Sequence, residues 1–389
     1  MKKFTLSLLI VLFLLSCQPM AQKNLYPGGF GDARETWTIM VYINAQGSGL
    51  IGEADINEME FAELSDGIKV IVLFDPNDGS GVKLYKIQQD YNMSSITSPR
   101  LSATINSVTL NPLVDNTQIN MSSEITLRDF VNFSKANFPA DHYGVIIWGH
   151  GDGWRSAKAN GAIPPYGVDG FFFNADIANA LNGLGISAVG FDTCLQGSME
   201  TLWAFKKRTD IPFFVGSPNL EDGSGWRYNL FLEVLDKSYR RAVDFVYSAV
   251  SSYADYYIYN YGPTNNPTLV GYYLPAFNNT TISSFFTWIK ASGGIEERTR
   301  FGESYLYQDY SMRNFYEYVT KSQYPAKSDM TAMLDNLIIS SWSRSTGFGY
   351  NGIGIRSSSS SSIVSYETRD INSDLSPNGW YDILQSWGQ

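Results

Sequence analysis

A histidine and a cysteine are the residues of this chain whose types and positions could do covalent chemistry. Two hydrophobic runs, residues 143–150 and 188–194, end in His150 and in Cys194. The chain has only two His and two Cys in all. Because a thiolate is a strong nucleophile and an imidazole can supply the proton that the reaction needs, the pair predicts a cysteine hydrolase.

The other cysteine, Cys17, ends a predicted export signal. Two lysines, an apolar stretch over residues 6–15 and a Leu-Leu-Ser-Cys ending form the pattern of a bacterial lipoprotein signal over residues 1–17. The apolar stretch is too short to span a bilayer, which needs about twenty residues. We therefore predict lipidation of Cys17 and a place in the cell envelope, at the outer membrane or its periplasmic face. The alternative is an ordinary secretory signal cut near Ala21.

The charge of the chain limits its partners. The formal net charge is −10, and removing residues 1–16 takes away two lysines and no acids, which leaves about −12. Nucleic acid is not an expected partner, because phosphate binding depends on Lys and Arg. A basic protein or peptide substrate suits this charge better, although an acidic surface also serves solubility. We expect a monomer that contacts the membrane through its lipid only.

Lipidation would leave Cys194 as the only thiol of an exported protein. A lone thiol cannot form an internal disulfide, and outside the cytoplasm it is exposed to oxidation, which favours a reactive role. The alternative is a small buried hydrophobic residue, as most free cysteines are.

The fold class follows from how strands and helices alternate. Residues 18–35 are rich in Pro and Gly and predict a flexible tether. From residue 36 to 260, near-continuous apolar strands alternate with helices, which predicts an α/β fold with a mostly parallel sheet. Residues 261–389 change to aromatic-rich helices and short strands, which predicts a smaller α+β region packed on the first. The predicted strands are 37–43, 68–74, 143–150, 188–192 and 352–355, and the predicted helices are 50–64, 126–137, 174–184, 283–290 and 305–319.

The predicted sheet would bring the histidine and the cysteine together. Parallel strands joined by right-handed crossovers place the loops after their carboxyl ends at one edge, where ligands bind. His150 and Cys194 both follow such ends, so neighbouring strands would make them meet. His142 precedes its strand and is predicted to be a surface residue at the opposite edge.

Several motifs resemble one peptidase family. Trp-Thr-Ile-Met-Val-Tyr at 37–42, Trp-Gly-His-Gly-Asp-Gly-Trp at 148–154 and Phe-Asp-Thr-Cys-Leu-Gln-Gly-Ser-Met-Glu at 191–200 carry the resemblance, with weaker matches at 55–60, 216–217, 225–228 and 352–356. In this order they resemble the clostripain family of cysteine peptidases, which belongs with caspases, legumains and gingipains. The match spans nearly all of the mature chain.

The resemblance implies both a fold and a site. It implies a caspase-like three-layer sandwich and an endopeptidase that cleaves after Arg or Lys, with Cys194 as nucleophile and His150 as its partner. The backbone N–H groups of Gly151 and Cys194 would hold the oxyanion, and glycine leaves room for the substrate carbonyl. The dyad requires no metal and no other cofactor. A lone histidine is more often structural, which is the alternative for His150, but its coincidence with Cys194 favours the catalytic role.

Acids near the cysteine bear on specificity. Asp192 lies two residues before Cys194 on the same strand face and resembles the acid that the family has beside its active site, so it could bind a basic side chain. Its alternative role is to accept backbone N–H groups at the strand end. Pro218 and Ser224 stand where family members commonly have acids, and Glu221 and Asp222 are the acids that would compensate from shifted positions. These differences concern the preference for Arg or Lys more than catalysis.

The resemblance also suggests self-cleavage. Family members are often activated by a cut between the histidine and cysteine strands, and Arg155 and Lys158 lie in that stretch, within the loop 151–170. We take Lys158 as the first candidate, on the hypothesis that the mature protein is nicked there. Loops of this length are also open to foreign proteases.

Calcium has little support from the residues. Asn44 and Gln46 stand in the first loop where family members often carry acids. Residues 75–79 resemble a calcium loop in composition but not in spacing, and predict a turn.

Two other functions remain open at this point. A catalytically silent lipoprotein of the same fold could use the cleft to bind peptides, since Tyr and Trp favour binding surfaces. A transferase or ligase could use the same acyl-enzyme, because the sequence does not say whether water or an amine resolves it.

Overall fold

An eight-stranded sheet with the order β13-β11-β10-β9-β6-β1-β2-β3 forms the centre of the described part of the molecule. The computed structural model describes residues 34–45, 51–151, 153, 155–158, 171–260, 266–292, 294–307, 312–344, 352–357 and 370–388, with only the backbone for 155–158 and 171. The predictions for residues 1–33, including Cys17, and for Gln46 lie outside these residues. In chain order the strands are β1 (Trp37–Asn44), β2 (Ile68–Asp75), β3 (Lys83–Lys86), β4 (Ala103–Ile105), β5 (Val108–Leu110), β6 (His142–Trp148), β7 (Arg155–Lys158), β8 (Phe171–Phe173), β9 (Ala188–Asp192), β10 (Phe213–Gly216), β11 (Thr268–Tyr273), β12 (Met312–Asn314), β13 (Ile338–Ser343) and β14 (Gly354–Arg356).

The central strands are parallel, as predicted. β10, β9, β6, β1 and β2 pair in parallel, whereas β3 and β11 run antiparallel to their neighbours at the two sides. Connections between parallel strands need crossovers, and helices supply them here. In chain order the helices are α1 (Glu53–Phe61), α2 (Glu124–Asn137), α3 (Asn174–Leu181), α4 (Met199–Arg208), α5 (Tyr228–Lys237), α6 (Asp244–Tyr257), α7 (Asn279–Ser292), α8 (Ile295–Gly302), α9 (Phe315–Lys321), α10 (Lys327–Leu337), α11 (Asp370–Ser373) and α12 (Trp380–Ser386).

The sheet has a hydrophobic core on each face. Successive side chains of β1 point to opposite faces: Ile39 and Val41 join the core that α1, α5 and α6 cover, and Met40 and Tyr42 join the core that α2, α3 and α4 cover. All four are at most 1% exposed. A strand buried on both faces reads as a continuous apolar run, which is why the sequence pattern of β1 does not alternate.

The strand that leads to the histidine and the strand that leads to the cysteine are neighbours. β6 and β9 pair in parallel, with Trp148 opposite Asp192. The prediction that neighbouring strands carry His150 and Cys194 is therefore confirmed. At the other end of β6, His142 bonds through Nε2 to Oε2 of Glu35 at 2.8 Å, and it is half-buried rather than simply a surface residue.

The C-terminal third differs from the prediction in one element. Residues 305–319 were expected to form one helix, but residues 312–314 form β12, which pairs with β14, and α9 begins only at Phe315. The side chain of Asn314 accepts the backbone N–H of Glu317 at 2.9 Å and so caps the helix there.

Two strands from beyond residue 260, β11 and β13, complete the main sheet. The domain boundary at 260/261 stays a prediction. No helix within the described residues is both long and apolar enough to cross a bilayer.

Candidate active site

The loops that follow β6 and β9 lie side by side at the carboxyl edge of the sheet. The backbone N–H of Gly149 donates to the carbonyl of Asp192 at 3.3 Å, one residue past the last paired position of β6. His150 and Cys194 therefore hold equivalent places, each two residues beyond the Trp148 and Asp192 pair. Both side chains are half-buried.

Gly151 contacts the main chain of Cys194. A Cβ at this glycine would lie 2.0 Å from the carbonyl oxygen of Cys194 and 3.0 Å from its backbone nitrogen. No side chain fits at such distances. The residue after the histidine is thus packed directly on the backbone of the cysteine.

The cysteine is held from its other side by the loop after β10. The backbone N–H of Glu221 points at the Cys194 sulfur, with 3.3 Å between N and Sγ. Leu195 has φ +64, a left-handed conformation that is uncommon for a residue with a Cβ. Its N–H donates to the carbonyl of Asn219 at 2.9 Å, and its side chain packs against Tyr307. These contacts hold the backbone of Leu195 in its left-handed conformation directly after the cysteine.

Two carboxyl groups form a buried pair beneath the cysteine. Asp192 is 5% exposed, and its Oδ1 accepts the N–H of Trp226 at 3.2 Å while its Oδ2 accepts the hydroxyl of Tyr228 at 2.8 Å. Its carboxyl also hydrogen-bonds that of Glu221. Burial raises the pKa of both groups, and the charge of Asp192 raises the pKa of Glu221 further. One proton shared between the two carboxyls satisfies this arrangement.

One atom of this pair lacks a partner. Oε1 of Glu221 is buried and has no hydrogen-bond partner among the described residues, although the rest of the side chain is half-buried. A buried oxygen without a hydrogen bond costs free energy. It is the kind of group that a bound donor would satisfy.

Two acids of α1, Asp55 and Glu58, lie close enough to Asp192 to interact with its charge. Burial, followed by the charges of Asp192 and Glu58, raises the pKa of Asp55 to about 9, and Asp55 hydrogen-bonds Trp148. Burial raises the pKa of Glu58 to about 7. At neutral pH Asp55 is therefore a neutral acid, which limits the negative charge stored in this part of the site.

Arg227 is the cation that accompanies these acids. Its Nη1 lies 2.5 Å from Oε1 of Glu58, and its guanidinium lies 4.6 Å from the ring centroid of Tyr256. The sequence had marked residues 55–60 and 225–228 as matching segments but gave them no role. The acids at 55 and 58, three residues apart on one helix face, were the signal that could have found them.

Asp222, the other predicted specificity residue, shapes a turn. Its Oδ1 accepts the N–H of Ser224 at 3.1 Å and its carbonyl accepts the N–H of Gly225 at 2.9 Å. The acid that hydrogen-bonds Asp192 is Glu221. The role of Asp222 in substrate binding stays a prediction.

The predicted cleavage residues lie in a short strand. Arg155 pairs with Phe173 and Lys158 with Phe171 in the β7–β8 ladder. Their side chains, and residues 159–170, lie outside the described residues.

A turn at residues 77–78 follows β2, as predicted, with Oδ1 of Asp78 accepting the N–H of Ser80 at 2.8 Å. Among the described residues, no group of three or more His, Cys, Asp or Glu is placed to hold a metal ion.

Comparison with known proteins relates this site to one family. The model of the clostripain family matches residues 41–346. The fold is similar to that of an inactive zymogen C11 protease from Parabacteroides distasonis, at 16% identity and a TM-score of 0.60 over 90% of this chain and 97% of that one. It is also similar to a secreted C11 cysteine protease from Bacteroides thetaiotaomicron solved with an irreversible peptide inhibitor, at 19% identity and a TM-score of 0.59 over 90% and 99% of the two chains. Among curated proteins, none matches.

Together the sheet, the cysteine at its edge and the matched relatives define a cysteine peptidase with a caspase-like α/β fold. The structural similarity to the solved proteins, at low sequence identity, establishes the fold alone. The match to the family model establishes the family. The chain belongs to the clostripain family.

Proposed function

We propose that this protein is an envelope-anchored cysteine endopeptidase in which Cys194 is the nucleophile, His150 transfers the protons and a basic residue precedes the cleaved bond. The observation that carries the proposal is the packing of Gly151 on the main chain of Cys194, where a Cβ would lie 2.0 Å from the Cys194 carbonyl oxygen. It supports a histidine and a cysteine that work as one unit at the ends of paired strands.

The chemistry proceeds through an acyl-enzyme. The Cys194 thiolate attacks the scissile carbonyl carbon, and the carbonyl electron pair moves to oxygen, facing the N–H groups of Gly151 and Cys194. As the C–N bond breaks, the leaving amine takes a proton from His150. A water then attacks the thioester while His150 takes one of its protons, and the thiolate leaves with the carboxylic acid product released.

Preference for Arg or Lys is supported by the buried acids. A cationic side chain reaching Asp192 and Glu221 would displace their shared proton and supply a donor to Oε1 of Glu221, which has no partner among the described residues. Charge-assisted hydrogen bonds of this kind are about twice as strong as neutral ones. A neutral side chain would leave the buried pair as it is and gain nothing from it.

The first experiment is cleavage of a positional peptide library by protein lacking the lipid anchor. We expect turnover with Arg or Lys before the cut, and none from a Cys194→Ala variant of the same thermal stability. Turnover that survives in Cys194→Ala would overturn the assignment of the nucleophile. Robust cleavage with no preference for a basic residue would refute the specificity and leave the peptidase.

Anchoring and self-processing are tested separately. Cys17→Ser should move the protein from the membrane fraction to the soluble fraction, and an unchanged distribution would reject lipidation at Cys17. Wild type should be cut once between the histidine and cysteine strands. Intact mass should show that Cys194→Ala and Lys158→Ala each remain a single uncut chain. Identical masses for wild type and Cys194→Ala would argue against self-cleavage.

A further inference from the structure

Buried polar side chains connect the histidine loop to helix α4. The carbonyl of Gly153 accepts hydrogen bonds from the hydroxyls of Ser198 at 2.5 Å and of Thr201 at 2.8 Å. Both hydroxyl residues are 0% exposed. Ser198 is also the N-cap of α4, since its Oγ accepts the N–H of Thr201 at 3.2 Å. The first turn of α4, which starts five residues after Cys194, is thereby fastened to the turn that starts at His150.

Asn174 links the Thr201 hydroxyl to Gln196. Its Nδ2 donates to Oγ1 of Thr201 at 2.8 Å and to Oε1 of Gln196 at 2.6 Å. The Thr201 hydroxyl has one hydrogen and two acceptors in reach, the Gly153 carbonyl at 2.8 Å and Oε1 of Gln196 at 3.1 Å, and the shorter contact is the one to Gly153. Asn174 is 1% exposed and is the first residue of α3, directly after β8. Three segments of the chain therefore meet at one buried network.

The carbonyl that they hold belongs to a constrained turn. Gly153 has φ +75, which glycine adopts without strain, and a Cβ there would lie 3.3 Å from Met312. Only two residues separate this anchored carbonyl from His150. A shift of the carbonyl would move the histidine and Gly151 relative to Cys194.

We propose that Thr201 and Asn174 are positioning residues that fix the histidine loop against the cysteine loop. This inference rests on the proposed function, because it concerns the geometry of that dyad. Neither side chain touches the substrate. Their effect is on how often His150 and Gly151 stand where the reaction needs them.

The expected effect is on turnover rather than on binding. A displacement of about 1 Å at a catalytic group can cost about 100-fold in rate. Thr201→Val keeps the side-chain volume and removes the donor, so we expect kcat to fall by about 10- to 100-fold with KM little changed. Thr201→Ser keeps the hydroxyl and should recover most of the lost rate.

A matched control lies on the other side of the same core. Thr126 on α2 is also 0% exposed, donates to the carbonyl of Asn120 at 2.7 Å and accepts from Asn106 at 3.1 Å. Thr126→Val removes an equivalent network away from the site. It should lower the melting temperature about as much as Thr201→Val does, while leaving kcat near the wild-type value.

Two further measurements separate this proposal from the proposed function. The double variant Asn174→Leu with Thr201→Val should lose much less than the product of the two single losses in kcat, since both act through one carbonyl. The rate of Cys194 alkylation by iodoacetamide, followed against pH, should reach half its maximum at higher pH in Thr201→Val than in wild type or Thr126→Val. This readout needs no turnover.

Each outcome decides the matter. Wild-type kcat and an unshifted alkylation profile in Thr201→Val would overturn the positioning role, even if the peptidase is active. If the alkylation profile shifts in Thr201→Val but the wild-type protein cleaves no peptide, the proposed function is overturned, while the coupling of the network to Cys194 stands. Equal losses of kcat in Thr126→Val and Thr201→Val would mean that the network only stabilises the fold and does not position His150.

Discussion

Gly151 has to be a glycine for a reason of space. Because a Cβ there would lie 2.0 Å from the Cys194 carbonyl oxygen, Gly151→Ala must push one loop away from the other. We expect kcat/KM to fall by about 100-fold or more. Gly302→Ala is the control, since a Cβ at Gly302 would meet nothing within 4 Å. A Gly151→Ala protein with wild-type kinetics would contradict the contact.

Asp55 makes a different kind of prediction, about stability. Its pKa is raised to about 9 in the folded protein, whereas an unfolded aspartate titrates near 3.9. Between these values the folded state binds more protons, so this group stabilises the fold most at low pH and its contribution is lost as the pH rises toward 9.

Asp55→Asn mimics the neutral acid and should remove this pH dependence. We expect the free energy of unfolding of the variant, relative to wild type, to rise by about 1.4 kcal/mol per pH unit between pH 5 and pH 8.5, with the smallest difference at pH 5. Urea unfolding at several pH values measures it. Asp115→Asn, at a surface ion pair with Arg100, should leave the slope of wild type unchanged. A parallel pH dependence for Asp55→Asn and wild type would mean that Asp55 is ionised in the fold.

The loop between β10 and α5 provides two features of the site. The backbone N–H of Glu221 faces the Cys194 sulfur, and the Glu221 carboxyl is the acid that we propose binds a basic side chain. Glu221→Gln keeps the backbone N–H that faces the Cys194 sulfur and removes the carboxylate. We expect kcat/KM for substrates with Arg or Lys to fall by about 10- to 100-fold, because a charge-assisted hydrogen bond is lost. The rate for a neutral residue at that position should hardly change.

Asp222→Asn is the matched control for that variant. Asp222 shapes the turn at Ser224, so its amide should leave the preference for basic residues largely intact. A larger loss of this preference in Asp222→Asn than in Glu221→Gln would show that Asp222 is the main specificity residue, as the sequence predicts. Parallel library profiles for the two variants measure the difference.

Elements with strong local patterns could be predicted from the sequence. The apolar runs of β1, β2, β6 and β9 and the amphipathic face of α2 are visible in a short window, and their ends shifted by only one or two residues. The prediction of one helix over 305–319 was wrong, because the apolar and aromatic residues there belong first to a strand and then to a helix. The Asn314 cap sets the point at which the helix begins. Pairing of β12 with β14 depends on residues some forty positions away, which no local pattern contains.

The candidate site divides in the same way. His150, Cys194 and Asp192 could be found from strand ends and motif order. The contact of Glu221 with Asp192, and the network of Asn174 with Thr201, could not, because polar residues in loops and at helix starts have many local uses. Asn174, Thr201 and the Gly153 carbonyl come together only when three separate segments of the chain pack in the folded protein.

At the scale of the whole molecule, the residues from Arg34 onward form one compact unit. We therefore expect a chain that begins at Arg34 to fold with the same melting temperature and the same kcat/KM on soluble peptides as the protein with its first residues in place. Circular dichroism and peptide kinetics test it. A lower melting temperature for the shorter chain would assign the leading residues a structural role.

The loop after Cys194 is also held by the far end of the chain. The N–H of Gly354 donates to the carbonyl of Gly197 at 2.8 Å, and β14 begins at this glycine. This partner is made 160 residues later than the cysteine. The loop after Cys194 therefore gains this hydrogen bond only after the ribosome has added those residues. We therefore expect a chain that stops before Gly354 to lack this contact, and to gain peptidase activity only once β14 has been made.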